Sequence, residues 1–350
     1  MMRFETRERI TPLVSAAASL AAVVVALALA ALPLKAAGAP LGTAFALLAE
    51  GAAGSVFALT ETLARATPLI LTGLAAAVAF RARLYNIGGE GQLYAGALAS
   101  VLVGSGAIDA PAPVLVPLIL AAAALAGALL MLGPTLLKAK LGVDEVVTTL
   151  LLNFIVLLFV QMMLEGPLKD PMGGGWPQSE PILEAGLLPP LVERMRLHAG
   201  LVLGVALCAA AHVFMARTVI GLRIRAVGDN APAARFTGTN VTGTLITVGC
   251  LSGALAGLAG ASEVAGLKGY LTTDLSRGFG YAGIVVAMIA GLQPLLVIPA
   301  ALFVAGIFVG ADTMSRTLNV SNYIADLIVS FSLLSVLASS LFVRFRVRWR

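Results

Sequence analysis

Apolar runs of 18 or more residues recur along this 350-residue chain, and they restrict its fold more than any other feature. A helix of that length crosses a hydrocarbon core roughly 30 Å thick. Within such a core every backbone N–H and C=O needs an internal partner, so the runs are expected as helices. Charge points the same way. Only 12% of residues are charged, about half the roughly 25% typical of soluble domains. The chain reads as an all-α, polytopic membrane protein.

Charged, Gly and Pro boundaries divide the runs into ten expected segments near 13–34, 67–82, 91–108, 112–138, 145–164, 198–216, 243–265, 279–292, 294–312 and 323–343. The first follows Arg3, Arg7 and Arg9 but is too long for a secretory h-region of about 7–15 residues, so it reads as an anchor. The eighth is short, as expected of a broken or re-entrant element. An N-terminus on the inner side puts 15 of the 23 lysines and arginines into 1–12, 81–92, 138–144, 217–242 and 344–350. That asymmetry follows the positive-inside rule and leaves both termini cytoplasmic. The arginine-bearing tail 344–350 then reads as an interfacial anchor to membrane lipid. The net charge of +5 therefore calls for no nucleic-acid partner.

Three connections stand out in what reads as one permeation domain over 1–350. Residues 35–66 form an outer segment in which Glu61 and Arg65 are spaced as on a short surface helix. Residues 165–197 form a Gly- and Pro-rich outer loop, and 217–242 the longest cytoplasmic loop. Segments two to five and seven to ten read as two inverted four-segment repeats. Their third and eighth members open with Leu93-Tyr-Ala-Gly96 and Gly280-Tyr-Ala-Gly283. Interrupted segments in matching positions of such repeats point to a solute path.

The chemistry-bearing residues are few. Cys208 and Cys250 fall within apolar spans and suggest no disulfide framework. His198 and His212 are read as helix-end or packing residues, with no metal cluster around them. The stretch Asn86-Ile-Gly-Gly-Glu-Gly-Gln92 raises three possibilities. A phosphate cradle fails, because Glu90 stands in the middle and no Lys-Ser/Thr follows; no G-x-x-x-x-G-K-[ST] occurs in the chain. A simple turn explains Gly88, Gly89 and Gly91 but not the clustering of Asn86, Glu90 and Gln92 at a membrane boundary. A hinge beside a path accounts for both. Asn153, deep in the fifth segment, either glues helices or lines a cavity. Phe279 and Tyr281 either stack on a solute ring or mark the membrane interface. Glu263 is expected at a solvated rim, and Asp312 and Asp326 at a solvated turn. In the second polar stretch, Gly221-Leu-Arg-Ile-Arg-Ala-Val-Gly-Asp-Asn-Ala-Pro-Ala-Ala-Arg-Phe-Thr-Gly238, the cap rules predict a short helix starting near Asn230. Pro232 falls in its first turn and Gly238 closes it.

The two stretches together resemble the permease subunit of ATP-binding-cassette importers. The similarity is closest to the branch with ribose, branched-chain amino acid and nucleoside permeases, and spans roughly residues 60–343. The form NIGGEGQ after Phe80-Arg-Ala-Arg-Leu-Tyr85 is most similar to nucleoside-type members. The resemblance implies that Gly221, Arg223, Arg225, Ala226, Gly228, Asn230, Ala234 and Gly238 contact a cytosolic ATPase on a separate chain. It also implies a second permease chain and an outer binding protein or lipoprotein. No cofactor and no enzymatic activity of the chain itself are implied. Simple sugars are the next solute class, and an ion-coupled secondary transporter is the rival from another class. A membrane-embedded enzyme is disfavoured by the lack of any Ser/His, His/Asp or HExxH arrangement within spans.

Overall fold

In the computed structural model, residues 24–339 are described with their side chains, and residues 2–6, 12–23 and 340–349 by backbone alone. The described residues form twelve α-helices, with one short antiparallel strand pair joining β1 (Met2–Thr6) to β2 (Phe345–Trp349). The side chains of the expected N-terminal segment 1–12 and of the tail 344–350 lie outside the described residues.

The chain divides into two compact units, Met1–Thr62 with Leu302–Arg350, and Leu63–Ala301. In the first, α1 (Pro12–Ala36) packs on α12 (Asn322–Arg344), and α2 (Leu41–Ala53) joins them. Ala30, Leu34, Ala44, Met314 and Ile328 form its buried cluster. The second unit holds the candidate site. It contains the inner part of α3 (Val56–Arg81), then α4 (Gly89–Gly104), α5 (Ala112–Leu141), α6 (Glu145–Glu165), α7 (Gly200–Arg217), α8 (Val219–Phe236), α9 (Val241–Glu263), α10 (Phe279–Ile289) and the start of α11 (Val297–Thr317).

Among the described residues, seven helices are long and apolar enough to cross a bilayer: α3, α5, α6, α7, α9 with its extension to Lys268, α11 with the turn before it, and α12. Ten segments had been expected, of which the first, 13–34, lies partly outside the residues described with their side chains. At 1.5 Å per residue, α4 and α10 reach only about 24 Å and about 16 Å, so neither meets that length. The shortness of α10 matches the expectation of a broken element. The connection 35–66 is not a short surface helix. It holds α2 and the first turns of α3, which begins eleven residues before the expected start at 67. Polar Thr60, Glu61, Thr62 and Arg65 interrupt the apolar pattern there, while the helix continues through them.

The central layer is a close seam. Gly249, Gly253 and Gly257 recur every fourth residue on α9, opposite Ala123, Gly127, Met131 and Thr135 of α5. A Cβ at Gly253 would collide with the Gly127 carbonyl oxygen, and one at Gly257 with that of Ala123. On another side of α9, Gly260 abuts the Leu93 carbonyl of α4, and Gly96 of α4 abuts Gly257. Small residues at fourfold spacing let helix backbones approach in a medium that gives no hydrophobic drive between helices. This brings α4 and α5 onto α9 and fixes the frame of the site. The expected outer loop 165–197 is ordered by backbone bonds, Ile182 N–H to Gly269 O at 2.8 Å and Leu188 N–H to Ala265 O at 2.8 Å.

Candidate functional site

The N-termini of α4 and α10 meet. Gly89 lies against Gly280, and a Cβ at Gly280 would overlap the backbone of Glu90. This is the answer to the glycine clustering: two helix starts approach too closely for side chains. The first N–H groups of a helix have no intrahelical acceptors. The N-cap of α10, Gly278, has no side chain to supply one. Glu90 supplies it from the other helix. Its Oε2 accepts the Gly280 N–H at 2.7 Å, while the Ser276 hydroxyl accepts the Phe279 N–H at 2.9 Å. Glu90 is itself in the first turn of α4, so one carboxylate faces the positive ends of two helix dipoles.

Two amide networks flank this contact. Asn86 Nδ2 donates to Gln92 Oε1 at 2.8 Å and to Ser252 Oγ at 2.9 Å, and Gln92 Nε2 donates back to Asn86 Oδ1 at 2.9 Å. Asn86 Oδ1 also accepts the Gly88 N–H at 2.9 Å. Asn153 Oδ1 accepts the Gly91 N–H at 2.8 Å, while its Nδ2 donates to Ile87 O at 2.9 Å and to the Tyr281 hydroxyl at 3.1 Å. The Phe279 carbonyl accepts the Thr72 hydroxyl at 3.0 Å. Asn86, Glu90, Gln92, Asn153 and Phe279 are all buried, and Tyr281 is 37% exposed. The six candidate path residues thus share one locus, in which the broken backbone is satisfied by side chains of α3, α4 and α6 together with Asn86. Lipid-depth irregular backbone is tolerated only where it is buried in protein or lines a cavity.

The second candidate element, α8, begins at the Thr218 cap, whose hydroxyl accepts the Gly221 N–H at 3.0 Å. Asn230 breaks its helical geometry at φ −155°, ψ 96°. The Asn230 side chain then accepts the Ala233 N–H at 3.1 Å, and Gly238 follows at φ 84°. The expected cap, first-turn proline and closing glycine are all found. Both parts of the helix have a buried and an exposed side. Gly221, Ile224, Val227, Gly228 and Ala234 are buried, whereas Arg223, Asp229 and Arg235 are exposed, and Phe236 is 94% exposed. Arg225 and Ala226 are half-buried. Gly228 sits so close to α3 that a Cβ there would strike the Arg81 carbonyl oxygen.

A profile of the family described as branched-chain amino acid transport system / permease component matches residues 58–338. The chain belongs to this permease family. Relatives include the glucose ABC transporter permease protein TsgB13 of Haloferax volcanii, 37% identical over 84% of this chain and 79% of that protein. The guanosine ABC transporter permease protein NupP of Bacillus subtilis is 34% identical over 93% and 94%. The nucleoside ABC transporter permease protein NupB of Lactococcus lactis is 31% identical over 76% and 75%. The permease is an integral membrane protein, a transport subunit rather than an enzyme.

Residue by residue, one expectation fails. Glu263 is not at a solvated rim: it is 2% exposed, and the cationic Arg65, Lys268 and Arg196 lie near enough to act on it. It ends α9 where a π-helical turn, Val264–Lys268, carries the chain on. Sequence reasoning also missed Ser252, Thr149, Thr72 and Ser276, which complete the junction's bonds, and Phe236. Small hydroxyls among glycines on α9, and one large aromatic in an otherwise polar loop, were the available signals.

Proposed function

We propose that the permease carries nucleosides inward across the cytoplasmic membrane, powered by ATP hydrolysed on a separate chain. The observation that carries this reading is α8. It presents Arg223, Arg235 and Phe236 outward while its Gly228 is seated against the end of α3. A helix with an exposed aromatic and cationic face fits a groove on a cytosolic ATPase. In this reading Gly221, Arg225, Ala226, Gly228, Asn230, Ala234 and Gly238 shape and seat the coupling element, and Arg223 touches the ATPase.

Closure of the ATPase dimer displaces α8, and the motion reaches the end of α3 and then the α4–α10 junction. There Gly88, Gly89 and Gly91 act as the hinge. Asn86, Glu90, Gln92, Asn153, Phe279 and Tyr281 exchange bonds as the path opens alternately to each side. The path holds solute weakly, because selection rests with an outer binding protein or lipoprotein. A second permease chain completes the pore as a heterodimer. The termini and 217–242 are cytoplasmic, 165–197 is external, and the meeting of two Tyr-Ala-Gly starts is in keeping with inverted repeats.

Nucleosides are favoured because similarity to NupP runs along nearly the full length of both chains. Sugars are the second reading, favoured by the 37% identity with TsgB13. Proteoliposomes with the full complex and labelled guanosine or glucose separate them. ATP-dependent guanosine uptake at least tenfold above glucose is expected. Glucose uptake alone supports the sugar reading, and uptake by the permease without ATPase, driven by an ion gradient, overturns the proposal.

A further inference from the structure

The irregular connection between α3 and α4 is tied to the turn between α5 and α6. That turn is itself firmly built. Gly142 closes α5 at φ 70°, and the Asp144 side chain caps α6 by accepting the Val146 N–H at 2.8 Å. Lys138, in the last turn of α5, and Glu145, the first residue of α6, form an ion pair. Both also grip the connection. Lys138 Nζ donates to the Arg83 carbonyl at 3.1 Å, and Glu145 Oε1 accepts the Tyr85 N–H at 2.9 Å. Lys138 lies 5.9 Å from the centre of the Tyr85 ring, which stands edge-on to Phe80 at 5.3 Å. One turn further along α6, the Thr149 hydroxyl accepts the Ile87 N–H at 3.2 Å. Arg83 is held at φ 55°, a left-handed conformation that a non-glycine residue keeps only when its surroundings impose it.

The position of these ties matters more than their number. On one side of the connection, Gly228 of α8 presses on the Arg81 carbonyl. On the other, Glu90 and Gly91 are bonded to α10 and Asn153. An untethered loop between those contacts would take up a displacement by rotating its own φ and ψ. A hydrogen-bonded ion pair with a buried carboxylate removes that freedom, since Glu145 is 4% exposed and its loss of a partner would strand a charge.

We propose that Lys138 and Glu145 are a clamp that makes the Arg83–Ile87 connection rigid, so that displacement of α8 is delivered to the Glu90–Gly280 contact. They are positioning residues, not path residues, and the inference rests on the reading of α8 as the ATPase-coupling element. The clamp predicts a loss of transmission without a loss of assembly.

The test is hydrogen–deuterium exchange on the whole transporter in nanodiscs, with and without ATP and vanadate, read at 219–236 and at 86–92. The variant Lys138→Met with Glu145→Gln removes both charges and keeps an oxygen for the Tyr85 N–H. In the native complex both stretches should respond to nucleotide. In the double variant 219–236 should respond as before, while the response at 86–92 falls at least fivefold. Lys138→Arg, which keeps the cation, should restore it. Should the double variant not assemble, Lys138→Gln at a partly exposed side chain should lower the response about threefold. An unchanged response at 86–92 in a clamp variant that assembles, or none there in the native complex while 219–236 responds, overturns the clamp alone. Silence of 219–236 in the native complex overturns the coupling reading and the clamp with it.

Discussion

Glycine does two different jobs in the seam between α5 and α9 and in the junction between α4 and α10. In the seam, Gly249, Gly253 and Gly257 lie within one continuous helix. Every peptide there is bonded inside its own helix, and contact with α5 is van der Waals packing of backbone on side chain and carbonyl. At the junction two helix starts meet at Gly89 and Gly280, and the N–H groups of Gly280 and Gly91 depend on Glu90 and Asn153 from neighbouring elements. Packing of the first kind has no alternative arrangement of similar energy. Hydrogen bonds of the second kind can be exchanged for others, or for water. The seam is therefore the frame, and the junction the part suited to move.

The comparison can be broken most severely at the seam. Gly253→Leu drives a side chain into the Gly127 carbonyl and should exceed the about 1–3 kcal/mol of ordinary overpacking. Most of the folded protein should be lost, as read by size-exclusion profiles of the solubilised membrane fraction. Glu90→Ala should be milder in stability and severe in function. It leaves the buried Gly280 N–H of α10 without its acceptor, a cost of about 1–3 kcal/mol. The complex should assemble with a lowered melting temperature while uptake falls at least tenfold; normal uptake would reduce Glu90 to a static cap. Arg223→Ala with Arg225→Ala, which leaves the seat of Gly228 on α3 untouched, should insert normally and abolish stimulation of the ATPase by the permease, measured as phosphate release. Asn153→Ala removes an interhelical amide worth about 0.6 kcal/mol on average in membranes, so a small drop in melting temperature with a larger drop in uptake would place it in the moving part. Phe236→Ala should change stability by less than about 0.5 kcal/mol, yet weaken co-purification of the ATPase.

Much of this arrangement was legible in the sequence because its signals are local. The cap at Asn230, Pro232 behind it and Gly238 after it follow from the φ each residue permits; the first two lie in α8 and the third just past its end. The shortness of α10 could be read from its boundaries. The start of α3 could not, because Glu61 and Arg65 break the hydropathy while helix bonding ignores them. The surroundings of Glu263 were hidden for a different reason: of the cations near it, Lys268 follows closely in sequence, but Arg65 and Arg196 come from distant parts of the chain. The meeting of Glu90 with Gly280 across 190 positions was equally hidden, although the repeated Tyr-Ala-Gly hinted that the two stretches belong together. The four-residue spacing of Gly249, Gly253 and Gly257 went unread, and only the structure shows that it makes the seam.

The central claim is that the junction moves during ATP hydrolysis and the seam does not. Cysteine accessibility tests it in a background lacking Cys208 and Cys250, with Ala282→Cys at the start of α10 and Ala256→Cys on α9, both buried. During turnover of the reconstituted transporter, a hydrophilic thiol reagent should label position 282 at least tenfold faster than without ATP, while position 256 stays protected. Equal protection of the two positions with and without ATP would contradict the account.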